Sequence, residues 1–593
     1  MTIKSALNCY TRHFAALALC FVFLPSQASA ITVNEMKKHL SINIGQNLPI
    51  TILGPLVSSE IFKQDGVFSI VLPNAAVVDG SPLGDISFQM TEISETTFQV
   101  SNVKLPQQLI TPEGEILPIK EHSLSGVWST KNGAYDSVSY KIAGFSALDK
   151  DSEFTFSHLG FDLSPQAENG DQNLSIDIGP LAFNNTKENT KLVFDGAKVK
   201  AAVNSTETLR VHKVLADMVT TLSETGTEIL VDQRSLMQLM SPLQVAYDSA
   251  SLEISTGRIQ FEQPDLNTSL TMKGIDFKSN AADMTGDMIG KSQFELTLSD
   301  LNLKDRDNRV EFEEFNWIGA TDKVDGNHAF VFGKKLLKNV MDEEAEIDLA
   351  DAFNLYFNFN DFGMEVAIKG LLASTGNGQS IEIERGSFSG AINDARTDQA
   401  SLTFLAKHGE IVIPDINNEL LLSLKPDDTN IKFGLSGIAA AGIRQAMVGK
   451  TVPISLISGD DKALGEFMRN IGFELLNVIL AQPPKIFVED SHVNTPTIKA
   501  GLEGSFDISP LAKFIATGTL NVTAEGLKEL QQAASKAMGT SKGRTRKIAL
   551  GMVGGLGLAQ GFGKRQKDGS LLYALSVDEA GKVAVNGLPI PKF

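Results

Sequence analysis

The chain has 593 residues, with 52 basic residues against 71 acidic ones and a formal net charge of −19 at pH 7. This acidity excludes nucleic-acid binding through the overall field of the protein, because a phosphate backbone attracts an excess of positive charge. The length allows two or more domains, and the only cysteines are Cys9 and Cys20.

The first 30 residues have the three parts of a secretory signal peptide. Lys4 and Arg12 give a positive start, residues 14–24 form an apolar run, and the small residues at 28–30 fit a signal-peptidase site. The apolar run is too short to span a bilayer. We therefore predict a cleaved signal peptide over residues 1–30.

A lipoprotein anchor at Cys20 is the alternative interpretation of this segment. It requires a small residue before the cysteine, whereas Leu19 stands there, and the apolar run continues past Cys20. Cleavage after Ala30 removes both cysteines, so we expect no disulfide in the mature chain. Because large extracellular eukaryotic proteins usually carry disulfides, the sequence predicts a protein of the bacterial periplasm.

Two β-rich halves, 31–203 and 242–435, follow the signal peptide. In both, apolar and polar residues alternate with a period of two, which is typical of half-buried strands. One pattern recurs: two apolar residues separated by a single residue, then two spacer residues, then two more apolar residues separated by a single residue. The second spacer is commonly Gly, Asp, Asn or Pro. Copies span residues 98–105, 140–147, 154–161, 176–183, 192–199, 270–277, 296–303 and 366–373.

Two spacers inside a strand would move the following side chains to the other face, unless one extra residue is accommodated as a β-bulge. In the alternative, some copies are hairpin ends whose spacers form the turn. Either arrangement predicts a mainly β fold with a few helices (α+β). We expect a long, strongly curved antiparallel sheet of many short bulged strands, with helices packed on it mainly in the middle and the C-terminal third.

Helical periodicity interrupts the strand pattern in two regions. Residues 204–241 are predicted as a helical insertion, with helices at 205–223 and 232–239. Residues 436–593 are predicted as a mixed α/β region. Its helical segments are expected at 438–447, 462–480, 524–538 and 547–558, with strands between them and a closing hairpin.

Residues 303–315 (LKDRDNRVEFEEF) resemble part of an EF-hand calcium loop, but two positions that the loop requires are different. Leu303 stands at the first ligand position and Asn308 at the glycine position. The flanking apolar residues alternate as they do in strands. We therefore interpret residues 305–308 as the turn of a β-hairpin.

Other motifs indicate no catalytic, cofactor-binding or metal site. The histidines after the signal peptide are scattered and show no HExxH-type spacing. Residues 539–543 match G-x-S-x-G, but a helix is predicted before the serine, and no histidine follows. Residues 449–451 and 554–557 each lack a glycine of the phosphate-binding and dinucleotide-binding motifs that they resemble. We expect no cofactor and no enzymatic activity.

One segment is a candidate for membrane or anion contact. Residues 536–567 contain no acidic residue, and an apolar, glycine-rich stretch at 548–562 separates two basic clusters. Such a segment suits contact with anionic lipid or a membrane surface. The alternative is a small-residue helix packed on the sheet with solvated basic ends. The candidate contact residues are Lys542, Arg544, Arg546, Lys547, Lys564 and Arg565.

The C-terminal region also carries a resemblance to a known family. Residues 517–527 lead into a predicted helix, and the chain closes with 568–577 and the motif G-x-V-x-V-N-G at 581–587. This ending resembles a family of proteobacterial, mainly alphaproteobacterial, periplasmic proteins with a domain of unknown function. More loosely, it is similar to YdgA-like and AsmA-like envelope proteins. The resemblance implies an envelope protein with an extended curved sheet and no catalytic residues to carry over. AsmA-like members usually have an N-terminal transmembrane helix, and this chain departs from them in its cleavable signal.

Two functions from different classes fit these observations. An apolar groove on a curved sheet predicts a non-enzymatic periplasmic envelope protein that binds or handles lipid. The alternative is a structural scaffold that pairs with other envelope proteins through its sheet edges. The apolar face also suits an ordinary core closed by the helices.

Overall fold

The computed structural model describes residues 32–36, 60–76, 82–104, 108–110, 116–118, 121–129, 134–148, 150–165, 172–204, 248–283, 288–325, 346–348, 350, 359–414, 418–453, 472, 474–509, 512–513 and 515–590. The chain divides into two compact units, residues 1–294 (unit 1) and 295–593 (unit 2). Strands dominate the described ranges, and the predicted mainly β, α+β class is confirmed. No helix in these ranges is both long and apolar enough to cross a membrane.

Unit 1 is an antiparallel sheet in which the first strands pair mainly in chain order, whereas the later strands also pair with strands further along the chain. Strands β5 and β6 pair apart from it, a 3₁₀ turn (Pro264–Leu266) joins β15 to β16, and β18 contains the division between the units. The strands are β1 (Glu60–Gln64), β2 (Val67–Ala76), β3 (Pro82–Ser94), β4 (Thr97–Lys104), β5 (Gln108–Ile110), β6 (Ile116–Pro118), β7 (Glu121–Ser129), β8 (Ala134–Leu148), β9 (Ser152–Pro165), β10 (Gln172–Ile178), β11 (Leu181–Asn185), β12 (Thr190–Phe194), β13 (Ala197–Asn204), β14 (Ser249–Thr256), β15 (Ile259–Gln263), β16 (Thr268–Met272), β17 (Gly274–Ala282) and β18 (Met288–Asp305).

The best-buried part of unit 1 lies on one face of β2, β4 and β7. Phe98 contacts Phe68 edge to face and also contacts Trp128, with ring centroids 5.9 Å apart in both pairs. All three side chains are fully buried. Aromatic pairs at such distances contribute about 0.5–1.5 kcal/mol beyond the burial of their area, so these rings anchor the N-terminal strands.

The spacers of the recurring pattern lie side by side across unit 1. Strands β8 and β9 run through their spacers without ending. Strands β10 and β11 pair with the same neighbour, β9, on either side of residues 179–180. The next strand pairs, β13/β12, β14/β15 and β17/β16, are interrupted at the same level. The chain therefore continues in one direction through each of these spacers, and none of these copies is a hairpin end.

Glycines occupy this level because neighbouring backbones approach closely there. A Cβ atom on Gly144 would lie 1.7 Å from the carbonyl oxygen of Phe156. Gly196 has a φ of +100°, and its Cβ would lie 2.4 Å from the carbonyl oxygen of Ile178. We call the following residues the glycine line: Gly144, Gly179, Gly196, Gly257 and Gly274.

The spacers of neighbouring strands also lie opposite each other, which explains why β8 and β9 are longer than the predicted short strands. Because neighbouring strands place their two spacers at the same level, the register of β8 and β9 is unshifted there, and β8 extends over 15 residues. A single extra residue, the predicted β-bulge, occurs between β3 and β4 beside Asn102, whose φ is +51°.

Unit 2 is an antiparallel meander, running from β19 through β21, β22, β23, β25, β27, β28, β29 and β31. Strands β20 and β26 pair apart from it. Its strands are β19 (Asn308–Asp325), β20 (Glu346–Asp348), β21 (Asp361–Ser374), β22 (Ser380–Asn393), β23 (Ala400–His408), β24 (Ile411–Val412), β25 (Asp428–Ile438), β26 (Thr451–Pro453), β27 (Lys485–Asn494), β28 (Lys499–Ile508), β29 (Ala516–Glu525), β30 (Lys564–Arg565), β31 (Leu571–Val577), β32 (Val583–Val585) and β33 (Leu588–Pro589). Its helices are α1 (Glu419–Leu424), α2 (Ala440–Met447), α3 (Leu527–Thr540) and α4 (Gly543–Phe562).

The helices of unit 2 confirm three of the predicted helical segments. Segments 438–447, 524–538 and 547–558 fall on α2, α3 and α4. In the segment 462–480, residues 474–480 are helical, and most of the others lie outside the described residues. Helix α4 packs on α3 and α1 through a buried cluster formed by Leu420, Leu530, Ala534, Ala537 and Ala549.

Asn586 gives the closing G-x-V-x-V-N-G motif a structural role. Asn586 and Gly587 both have positive φ, +51° and +80°, which fits the two-residue turn between β32 and β33. The Asn586 side chain accepts a hydrogen bond from the amide of Ala574 (2.9 Å) and donates to the carbonyls of Leu572 and Phe562 (2.8 Å each). It therefore ties the end of α4 to β31.

The division between residues 294 and 295 differs from the predicted halves 31–203 and 242–435. Strands β13 and β14 flank the predicted insertion at 204–241, yet they pair with each other along their whole length within unit 1. The sequence boundary followed the interruption of the strand pattern, whereas the compact units follow strand pairing. The predicted signal peptide and the helices at 205–223 and 232–239 lie outside the described residues.

Candidate functional site

Six strands of unit 2 (β19, β21, β22, β23, β25 and β27) present a polar face and an apolar face at the same level. Residues directly opposite each other in an antiparallel pair lie on the same face, and the next residue lies on the other face. The polar row consists of the register partners Asn316, Ala367, Ser387, Lys407, Asn430 and His492. One residue along each strand, the apolar row consists of Trp317, Val366, Phe388, Ala406 and Ile431.

The apolar face carries an aromatic patch, which consists of Trp317, Phe388, Phe404 and Phe433. The ring of Phe404 lies 6.0 Å from that of Phe388 and 5.4 Å from that of Phe433. Trp317, Phe388 and Phe433 each keep 41–42% of their surface exposed. Scattered exposed apolar residues are normal, but a contiguous row of large ones indicates a binding surface.

The polar face contains a pocket of about 540 Å³, and every residue that lines it belongs to unit 2. Arg385 and Lys407 line this pocket, and neither makes an ion pair or a side-chain hydrogen bond with another described residue. By contrast, Lys369 forms an ion pair with Glu313 at 2.7 Å. The hydrogen bond that Lys369 donates to Glu313 raises the pKa of Lys369.

His492 and Asp428 form a polar pair in the pocket. His492 Nε2 and Asp428 Oδ2 lie 2.9 Å apart, and Asn494 donates a longer hydrogen bond of 3.4 Å to the same oxygen. The hydrogen bond from His492 is the main cause that lowers the pKa of Asp428, and the charge of Arg385 adds to it. The carboxylate of Asp428 is therefore held in its charged form.

Two buried polar atoms of β25 have no hydrogen-bond partner in the described part of the chain. They are Asn430 Oδ1, on the polar face, and Thr429 Oγ1, on the opposite face of the sheet. Thr429 is only 8% exposed. The amide of Asn430 is oriented by its donation to the carbonyl of Asp490 (2.6 Å). Because buried polar atoms are nearly always hydrogen-bonded, the Asn430 oxygen marks a place in the pocket where a bound donor group would be stabilised.

Replacing Thr429 by valine should stabilise the ligand-free protein by about 1–2 kcal/mol. Valine keeps the shape of threonine and removes a buried hydroxyl whose desolvation is uncompensated. Thr429→Ser is the matched control, because it keeps the hydroxyl and removes the methyl group, and it should destabilise unit 2. Hydrogen exchange of the β25 and β27 amide protons reports the change. Faster exchange in Thr429→Val than in the wild type would contradict the assignment of an unpaired hydroxyl.

The predicted basic contact residues form two separate groups. Lys542 caps α4, and Arg544, Arg546 and Lys547 lie in its first turns, whereas Lys564 and Arg565 form β30 after its last turn. Since α4 has 20 residues, the two groups lie about 30 Å apart along the helix axis. All six side chains are exposed.

Helix α4 combines features of both interpretations of this segment. Its inner face packs on α3. The alternative of a packed small-residue helix is therefore met, except that the helix packs mainly on another helix and not on the sheet. Its outer face leaves Leu550 and Leu558 exposed between the basic groups. Membrane or anion contact by these residues stays a prediction.

Unit 1 contains a serine, a histidine and an aspartate in contact. Ser157 Oγ lies 2.7 Å from His158 Nδ1, and His158 Nε2 lies 3.1 Å from Asp177 Oδ2. Hydrolytic triads also need amide donors for an oxyanion. Here the nearby amides already donate to carbonyls, Ser157 to Pro180 (2.9 Å) and Gly179 to His158 (2.7 Å). We assign these side chains to cross-strand contacts on the glycine line.

The hairpin interpretation of residues 303–315 is confirmed. Strand β18 ends at Asp305 and β19 begins at Asn308, and Arg306 in the turn has a φ of +58°. In the described ranges, no group of three or more His, Cys, Asp and Glu side chains is arranged to hold a metal ion.

Sequence reasoning missed both the aromatic patch and the polar pocket. The pocket collects residues from β19, β21, β22, β23, β25 and β27, which no local motif connects. One signal was present: residues 310–317 form a further copy of the pattern, and its spacer Glu314 and the spacer Lys369 of the copy at 366–373 are register partners of opposite charge. Charged spacers alone are no sign of a site, since Asp195, Lys273 and Asp300 are spacers of other copies.

Comparisons with protein-family models, with curated proteins and with solved structures find no match to this chain. The resemblance of the C-terminal region to periplasmic envelope proteins therefore stays a prediction, and the functional argument depends on the geometry of unit 2.

Proposed function

We propose that this protein is a non-enzymatic envelope protein of the periplasm that binds lipid acyl chains on the apolar face of unit 2. The observation that carries the proposal is the aromatic patch, in which Trp317, Phe388 and Phe433 stay 41–42% exposed although they lie in the middle of a sheet. The N-terminal signal-like segment supports the compartment.

The dimensions of the apolar row suit an acyl chain. It crosses five strands from Trp317 to Ile431, and Phe433 continues it to Val488 on β27. Six strands at about 4.8 Å spacing cover about 24 Å. One leaflet of acyl chains spans only about 15 Å, half of the hydrocarbon core of a bilayer.

An apolar ligand also fits the chemistry of this face better than a partner strand does. The strands that carry the patch have neighbours on both sides, so their backbone amides and carbonyls are already paired within the sheet. A partner protein that adds a strand needs an open sheet edge. A ligand on this face can therefore bind only by burying its surface against the side chains. Burial of apolar surface contributes about 25 cal/mol per Å².

Lipid should copurify with the protein and depend on the patch. We expect phospholipid in native mass spectra of the purified protein, and a loss of about fivefold or more in the double variant Phe388→Gln/Phe433→Gln, because polar side chains remove apolar contact area. Since both residues are half-exposed, the variant should remain folded.

Phe62→Gln is the matched control, because it makes the same substitution at an exposed phenylalanine of unit 1. It should leave the bound lipid unchanged. A lipid-free wild-type protein, or equal lipid in the double variant and the control, would contradict acyl-chain binding. Those results would favour a scaffold, or a patch covered by another segment of this chain.

A further inference from the structure

The polar pocket has three features of a ligand site. Its volume of about 540 Å³ lies within the range of about 300–1,000 Å³ that small-molecule sites occupy. Arg385 and Lys407 bring two positive charges that have no ion-pair partner among the described residues. Asn430 presents a buried side-chain oxygen that has no hydrogen-bond partner among the described residues.

These groups define the chemistry of the ligand. Arginine and lysine side chains bind phosphate oxygens through charge-assisted hydrogen bonds. The Oδ1 atom of Asn430 can only accept a hydrogen bond, so it requires a donor such as a hydroxyl group. One molecule that carries both a phosphate and a hydroxyl group would satisfy all three residues.

We propose that the pocket binds a hydroxylated phosphate ester, with the phosphate at Arg385 and Lys407 and a hydroxyl group at Asn430. Such an ester is either a soluble sugar or glycerol phosphate, or the glycerol phosphate of a lipid headgroup.

The acidic groups of the pocket add selectivity. Asp428 is held by His492, and Asn316 donates to Glu314 at 2.6 Å. Glu314 and Glu365 line the same pocket. Carboxylates accept hydrogen bonds from hydroxyl groups and repel a bare anion. The pocket should therefore prefer a sugar phosphate to inorganic phosphate.

This proposal is independent of acyl-chain binding, because the polar row and the aromatic patch lie on opposite faces of the sheet. If one of the two proposals is contradicted, the other is unaffected. The substitutions that test them also differ, since no residue of the aromatic patch lines the pocket.

Calorimetric titration of the full chain tests the pocket with glucose 6-phosphate, glycerol 3-phosphate, inorganic phosphate and glucose. We expect saturable binding of the esters, about tenfold or more tighter than that of inorganic phosphate or glucose, because only the esters use both sets of groups. Vesicles that contain phosphatidylglycerol form a second arm. Preference for soluble esters assigns a free ligand, and preference for vesicles assigns a lipid headgroup.

Variants locate the site. Arg385→Gln/Lys407→Gln should weaken binding by about tenfold or more, while far-UV circular dichroism stays unchanged. Lys485→Gln is the matched control, since Lys485 is an exposed lysine of β27 that pairs with Asp507 outside the pocket. The proposal fails if no ester binds in solution or on vesicles, if glucose binds as tightly as its phosphate, or if the pocket variant binds like the control.

Discussion

Replacing Phe98 by alanine is expected to lower the free energy of unfolding of unit 1 by about 3–5 kcal/mol. Phe98 is fully buried and contacts both Phe68 and Trp128, so its removal leaves a cavity that three paired strands border. The surrounding rings can relax only in part, because each is fixed in a paired strand. The loss therefore includes the cavity as well as the lost burial.

Urea unfolding followed by Trp128 fluorescence measures this loss. The chain has two tryptophans, Trp128 and Trp317, so a Trp317→Phe background leaves Trp128 as the single reporter. Phe62→Ala is the control, because Phe62 is 64% exposed and should cost about 0.5 kcal/mol or less. Equal midpoints for Phe98→Ala and Phe62→Ala would show that the N-terminal strands are not held together by this aromatic cluster.

The periodicity of the sequence predicted the fold class and the recurring spacers, because both are local properties of a strand. The hairpin at residues 305–308 followed from the same alternation. The register of one strand against the next is not a local property. Gly179 faces His158, and Gly257 faces Asp195, and only the cross-strand register brings such residues together. A single sequence contains the spacers but no direct record of this register.

The same limit applies to the candidate site. Trp317 and Phe388 each look like an ordinary inward-facing residue of a strand, and their exposure depends on what packs over the sheet. Arg385, Lys407 and Asn430 come from three strands. No spacing rule connects them, since each lies in a different copy of the same alternation. Strand pairing brings these separate residues together into one row and one pocket.

Gly144→Ala tests the matched spacers at their tightest point and should destabilise unit 1 by about 3 kcal/mol or more. The new Cβ atom would lie 1.7 Å from the carbonyl oxygen of Phe156 and 2.3 Å from that of Ser157. Both atoms belong to the backbone of β9, which is paired with β8 on one side and with β10 and β11 on the other. A side chain could rotate away from the methyl group, but this backbone cannot move without breaking its ladder.

Gly160→Ala is the matched control for this prediction, because it makes the same change on β9 where space exists. Its Cβ atom would meet only the Cβ atom of Asp177, at 3.6 Å, and the carbonyl oxygen of Asp177, at 3.9 Å. Alanine should therefore be neutral there or stabilise by about 0.5–1 kcal/mol, through the smaller backbone entropy of the unfolded chain. Trp128 fluorescence in the Trp317→Phe background compares the two variants. If Gly144→Ala unfolds at the same urea concentration as Gly160→Ala, the close approach of β8 and β9 at the glycine line does not exist in solution, and the matched spacers do not set the register of unit 1.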